Sequence, residues 1–188
     1  HDIHQPINAV MRAMLPGQRS RKVFDRMSER SGIGHRYSFM GAGGQADEQE
    51  VDAGDFYPRG NFPGTSARMA LYETEALRLA TRAVAALKGE IPTAMLDGIT
   101  HLVVASCTGF IAPGLDLQLV TNLGLRPDVQ RTLIGFMGCS AAVPALRVAY
   151  QAVQTNPAAR VLVVNLELCS LHLQETSDLN CLLSLMLF

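Results

Sequence analysis

This sequence carries little charge for its length. Asp, Glu, Lys and Arg make up 18% of its 188 residues, hydrophobic residues make up 48%, and the net charge is −1. Proteins that grip nucleic acid usually show a basic face, and this balance offers none. The apolar weight suits a large buried core, or a lobe that expects a partner surface. Long apolar runs are also missing. Those at 102–105 and 161–164 are of strand length, far below the ~20 residues of a membrane-spanning helix. His1–Gln5 is polar with no apolar stretch behind it, so no signal peptide is read. The four cysteines, Cys107, Cys139, Cys169 and Cys181, form no CxxC pair. That argues against zinc, and free thiols of a cytosolic enzyme fit better than a disulfide framework. There is no internal repeat and no low-complexity tract. The chain stops on the apolar run Leu185–Phe188, whereas natural termini are usually surface segments, so it reads as truncated.

What is present alternates. Gln5 to Leu15 has helical spacing (Ile7, Val10, Met11, Met14) and meets Pro16-Gly17; a second helix runs from Ser20 to about Ser31. His35–Phe39 suggests a short strand. Residues 40–64, with six glycines, two prolines and an acidic patch at Asp47–Glu50, read as a flexible or surface loop. Thr65 to about Lys88 carries an apolar stripe of Met69, Tyr72, Ala76, Leu79, Ala80, Ala83 and Leu87, with Gly89 as its stop. Strands are expected at His101–Ser106, Thr132–Phe136 and Arg160–Leu168. Helices are expected at Leu115–Leu123, from Ser140 to about Val153, and from Ser177 or Asp178. Short apolar strands alternating with helices predict an α/β fold with a mainly parallel sheet flanked by helices.

The segment Ile134-Gly135-Phe136-Met137-Gly138-Cys139-Ser140-Ala141-Ala142 carries the chemistry. A strand ends, Gly138 permits a tight turn, and Cys139 falls at the first turn of an Ala-rich helix. Unsatisfied N–H groups and the dipole at a helix N-terminus favour a thiolate, which can take an acyl group from a thioester. The same position also suits a small, inert core cysteine.

Gly138–Arg147 resembles the nucleophile segment of the thiolase-fold synthases. Ala105-Ser106-Cys107-Thr108-Gly109-Phe110-Ile111-Ala112-Pro113-Gly114-Leu115-Asp116 resembles the type III polyketide synthases, the chalcone and stilbene synthase family. Glu167-Leu168-Cys169-Ser170-Leu171-His172-Leu173-Gln174 is similar to its bacterial branch. The resemblance implies that residues 1–188 are the N-terminal, Cys-bearing half of a thiolase-like acyltransferase, a cytoplasmic homodimer. It implies that Cys139 accepts the starter from coenzyme A. Extension then proceeds by decarboxylative condensation with malonyl-CoA. The thioesters are substrates; no further cofactor, metal or carrier protein is implied. The family's catalytic His and Asn lie in the second half, and none of His35, His101 and His172 matches that base. The 188-residue piece alone is therefore expected to be inactive.

The resemblance further implies that Arg26 and Arg30 contact the CoA phosphates; a solvated basic face explains them equally. Cys107, Cys169 and His172 match positions lining the elongation cavity, against simple packing as the other reading. Ala112 matches a methionine that, in plant chalcone synthases, crosses the dimer into the neighbour's cavity. Its short side chain leaves room for a fatty acyl starter and an alkylpyrone or alkylresorcinol product. A malonyl-primed aromatic synthase is the alternative. A ketoacyl-synthase III-like enzyme and a non-catalytic lobe acting by association are two further readings.

Overall fold

The computed structural model describes residues 1–43, 51–90 and 97–187. Helices α1 (His4–Ala13), α2 (Gln18–Arg30) and α3 (Thr65–Glu90) come first. There follow β1 (His101–Ala105), α4 (Leu115–Leu123), β2 (Gln130–Ile134), α5 (Ala142–Thr155), β3 (Val161–Asn165) and α6 (Leu179–Met186). Short 3₁₀ turns occupy Gly138–Ala141 and Cys169–His172. The chain forms two compact units, one of residues 1–68 and 169–188, the other of residues 69–168.

The second unit is the α/β body. Its three strands are parallel in the order β2-β1-β3, with His101 paired to both Gln130 and Val161. Parallel neighbours need crossover connections, and here α4 and α5 supply them. The central strand β1 is buried on both faces, as its unbroken Leu102-Val103-Val104-Ala105 run requires. Val103 and Ala105 pack with Ala141 and Ala145 at the start of α5. Small alanines let that helix lie close to the sheet. Pro144 stands in the first turn of α5, where a missing N–H costs nothing. The other side of α5 is bare: Val143, Leu146, Tyr150 and Val153 recur at helical spacing and are all exposed.

The stripe on α3 differs from expectation at its end. Tyr72, Ala76, Ala80 and Val84 are buried, and Ala83 is exposed. The buried row therefore advances by four residues, one helical turn at a time. Gly89 does not stop the helix, which runs on to Glu90. Tyr72 donates or accepts a 2.6 Å hydrogen bond with Ser106 Oγ, and its ring packs directly against Gly109.

The first unit is held by Val10, Met11, Leu15, Phe24, Val51, Tyr57, Leu173, Leu182 and Met186. Residues 35–39 form no strand; Tyr37 makes a lone bridge to Asp2. Part of the expected flexible loop is pinned instead. Asp52 accepts hydrogen bonds from the N–H groups of Gly54, Phe56 and Tyr57, and Val51 and Tyr57 are buried. The acidic patch at 47–50 lies outside the described residues. Asp178 caps α6 by accepting from Asn180 N–H at 2.9 Å, as the expected start near 177–178 requires.

Candidate functional site

In open parallel sheets, ligands sit outside the carboxyl ends of the strands. Three segments leave those ends here: Ser106–Gly114 after β1, Gly135–Ala141 after β2, and Leu166–Leu168 after β3. Backbone and side-chain hydrogen bonds tie them together. Ser106 N–H donates to Ile134 O, and Leu166 N–H donates to Ala105 O. Leu168 N–H donates to Thr108 Oγ1 at 2.8 Å. Cys107 N–H donates to both carboxylate oxygens of Glu167, at 2.9 and 3.1 Å.

Cys139 lies in the 3₁₀ turn Gly138–Ala141, just ahead of α5. It is exposed, so it does not pack as a small core residue. Strand β2 ends two residues earlier than expected, because Phe136 takes φ +56° and leaves the extended conformation. Gly138 follows with φ +67°, a backbone that glycine adopts without a Cβ clash. The turn lies against the loop after β1. Met137 N–H donates to Cys107 Sγ at 3.2 Å, and Cys107 Sγ donates to Gly138 O at 3.6 Å. The rings of Phe110 and Phe136 are 6.4 Å apart, both largely exposed. Burial pushes the Tyr72 phenol up from its ordinary value, with the Ser106 hydrogen bond opposing. It therefore stays protonated behind the loop.

Of the residues singled out from the sequence, Cys107 and Cys139 are brought together through this turn. Ala112 is exposed on the same loop as Cys107. Cys169 and His172 belong to the first unit, on the 3₁₀ turn Cys169–His172. That turn is anchored by Arg68, a buried guanidinium. It donates to Leu171 O, to Leu173 O at 2.9 Å and to Pro63 O at 2.8 Å. It also lies over the Tyr57 ring at 5.3 Å. Tyr57 Oη donates to Ser170 O at 2.6 Å, and burial, partly offset by Arg68, pushes its pKa up to about 12. Arg26 and Arg30 are exposed one turn apart on α2.

His101 is remote from Cys139: it opens β1 at the amino end of the sheet and bonds Thr100 Oγ1. Four further strand residues at ~3.3 Å each separate it from the carboxyl end. His35 is exposed and bonds Asp2 at 2.6 Å. Glu167, Thr108 and Tyr72 escaped the sequence reading as site residues. The available signal was a charged Glu inside the apolar stretch expected to be strand. Among the described residues, no three acidic, His or Cys side chains cluster to hold a metal, and no helix is long and apolar enough to cross a membrane.

A family model described as chalcone and stilbene synthases, N-terminal domain, matches residues 14–186. The alpha-pyrone synthesis polyketide synthase-like Pks18 of Mycobacterium tuberculosis is 41% identical over 113 residues, 60% of this chain and 28% of its own length. The C-terminal type III polyketide synthase domain of Steely1 from Dictyostelium superposes with a TM-score of 0.78 at 25% identity. That match covers 99% of this chain and 49% of the domain. CsyB complexed with CoA-SH gives 0.71 at 27% identity, over 91% of this chain and 44% of CsyB. The chain thus spans less than half the length of each of these relatives.

Proposed function

This chain belongs to the chalcone and stilbene synthase family, as an N-terminal portion of type III polyketide synthase with a thiolase-like fold, and from that premise we propose that it carries the acyl-bearing nucleophile Cys139 of such an enzyme. The observation that supports the reading most is the exposed Cys139 thiol, in a turn beside the carboxyl ends of three parallel strands and ahead of α5. The thiolate adds to the carbonyl carbon of an acyl-CoA. The Cys139 C–S bond forms, the bond to CoA breaks, and CoA leaves as its thiol after taking a proton. Malonyl-CoA then loses CO₂, and the resulting carbanion attacks the Cys139 thioester. A C–C bond forms and the cysteine thiolate is released.

Residues 1–188 act as the Cys-bearing half, and a second half supplies the His and Asn that hold the malonyl thioester. Without it the piece is inactive. Arg26 and Arg30 meet the CoA phosphates through their forked donors. That CsyB was solved with CoA-SH supports a CoA ligand. The enzyme is a cytoplasmic homodimer that uses CoA thioesters and no other cofactor. Cys107 and Ala112 in the second unit, and Cys169 and His172 in the first, each match positions at which the family meets the growing chain.

The starter is a medium or long fatty acyl-CoA and the product an alkylpyrone or alkylresorcinol. Two things support this: Ala112 is small, and the relative Pks18 is named for alpha-pyrone synthesis. The cysteines at 107 and 169 would also suit malonyl priming. The ketoacyl-synthase III-like alternative is set aside by the family match. Full-length protein incubated with malonyl-CoA and a panel of acyl-CoA starters, with products read by mass spectrometry, tests the reading. Cys139→Ala should abolish acyl loading, and Ala112→Met should shorten the accepted starter. An unchanged chain-length profile for Ala112→Met would remove the fatty-acyl argument. Acyl loading that survives Cys139→Ala would remove the nucleophile.

A further inference from the structure

The turn before Cys139 holds two residues in the left-handed region. Phe136, not a glycine, takes φ +56°, and Gly138 takes φ +67° two residues on. A residue held in the left-handed region persists only where its surroundings over-determine it. Burial does not supply that constraint, because the Phe136 ring is 81% exposed. Side-chain hydrogen bonds do: Ser140 Oγ donates to Met137 O at 3.1 Å within the turn, and two more end on one sulfur, Met137 N–H to Cys107 Sγ at 3.2 Å and Cys107 Sγ to Gly138 O at 3.6 Å. The last is long for oxygen, but the larger radius of sulfur brings it within reach. Cys107 is fixed in turn, since its own N–H is held by both oxygens of Glu167.

We infer that Cys107 is a positioning residue for Cys139: its thiol, donating to the Gly138 carbonyl and accepting from the Met137 N–H, clamps the backbone that presents the nucleophile, with Glu167 as the anchor of the clamp. This role rests on the reading of Cys139 as the nucleophile and is separate from lining a cavity. A lining side chain acts on substrate. A clamp acts on Cys139 before substrate arrives.

The test uses full-length protein and two substitutions. Cys107→Val keeps a similar volume but neither donates nor accepts; Cys107→Ser keeps both functions. Without acyl-CoA present, the rate of iodoacetamide alkylation at Cys139 is measured near neutral pH by peptide mapping. The valine variant should react about tenfold more slowly, the size expected from losing two weak hydrogen bonds, and the serine variant should stay within about threefold of the parent. In turnover, the valine variant should lose kcat with KM for the acyl-CoA within about twofold of the parent. Equal alkylation of Cys139 in the parent and the valine variant would overturn the clamp, as would equal slowing in both variants or a change confined to KM. If the valine variant does not fold, the serine variant decides: a tenfold loss in folded protein overturns the clamp, and retention upholds it. Cys139→Ala run in parallel separates the two ideas. Acyl loading that survives it ends the nucleophile reading, while the Cys107 alkylation data judge the clamp alone.

Discussion

Gly109→Ala is the most demanding test of the packing behind the site. An added Cβ at residue 109 would fall inside 3.0 Å of three ring carbons of Tyr72, closer than real Cβ atoms approach. The ring has nowhere to go, since Tyr72 is 2% exposed and its hydroxyl is tied to Ser106 Oγ at 2.6 Å. Overpacking a closed site costs about 1–3 kcal/mol. If the ring swings aside, the Tyr72–Ser106 hydrogen bond is lost as well, adding about 1 kcal/mol. A total of about 2–4 kcal/mol corresponds to a fall in Tm of roughly 5–15 °C for a protein of this size. The assay is thermal unfolding followed by circular dichroism, on Gly109→Ala, Tyr72→Ala and the double variant. Tyr72→Ala alone should be costly, but in the Gly109→Ala background it also removes the clash. The double variant should therefore be more stable than the sum of the single losses by about 1–3 kcal/mol. A Tm for Gly109→Ala within about 1 °C of the parent, or strict additivity, would refute the argument.

Phe136→Gly should be more stable than Phe136→Ala by about 1 kcal/mol, because only the glycine relaxes at φ +56°; equal urea midpoints would show that the turn is unstrained in solution. Burial and the Arg36 guanidinium hold His4 below its ordinary 6.5, with Asp2 opposing. The folded state therefore resists protonation there, and its stability is fully present above pH 6.5 and declines as pH drops below it. His4→Gln should flatten that decline in urea unfolding, and an unchanged pH slope would count against it. The 188-residue chain in isolation should self-associate through Val143, Leu146, Tyr150 and Val153 on α5. Leu146→Lys with Tyr150→Lys should return it to a monomer by light scattering; a monomeric parent would contradict this.

The α/β alternation was legible because β1 is a pure apolar run and the helices have clear periodicity. The turn at Cys139 was legible because Gly138 marks it. Strand ends were not. Thr132–Phe136 and Arg160–Leu168 read as strands because the apolar runs continue past Ile134 and Asn165. What stops them is backbone: the φ of Phe136, and Leu168 N–H turning to Thr108. The bond between Cys107 and Glu167 joins residues 60 apart, and local pattern carries no trace of such a partner. His35–Phe39 has strand composition, but among the described residues Tyr37 bridges Asp2 alone.

Cys107 meets Met137 across 30 residues of chain and Glu167 across 60, so each contact belongs to a different strand end. Heritable variation can therefore lengthen, shorten or reshape the surface of α4 or α5 without touching the residues that meet at the turn. The converse also holds: a single substitution at any of the three strand ends alters the same set of contacts. A mutational library for altered chemistry would best randomise these three short stretches together, and leave the crossovers between them alone.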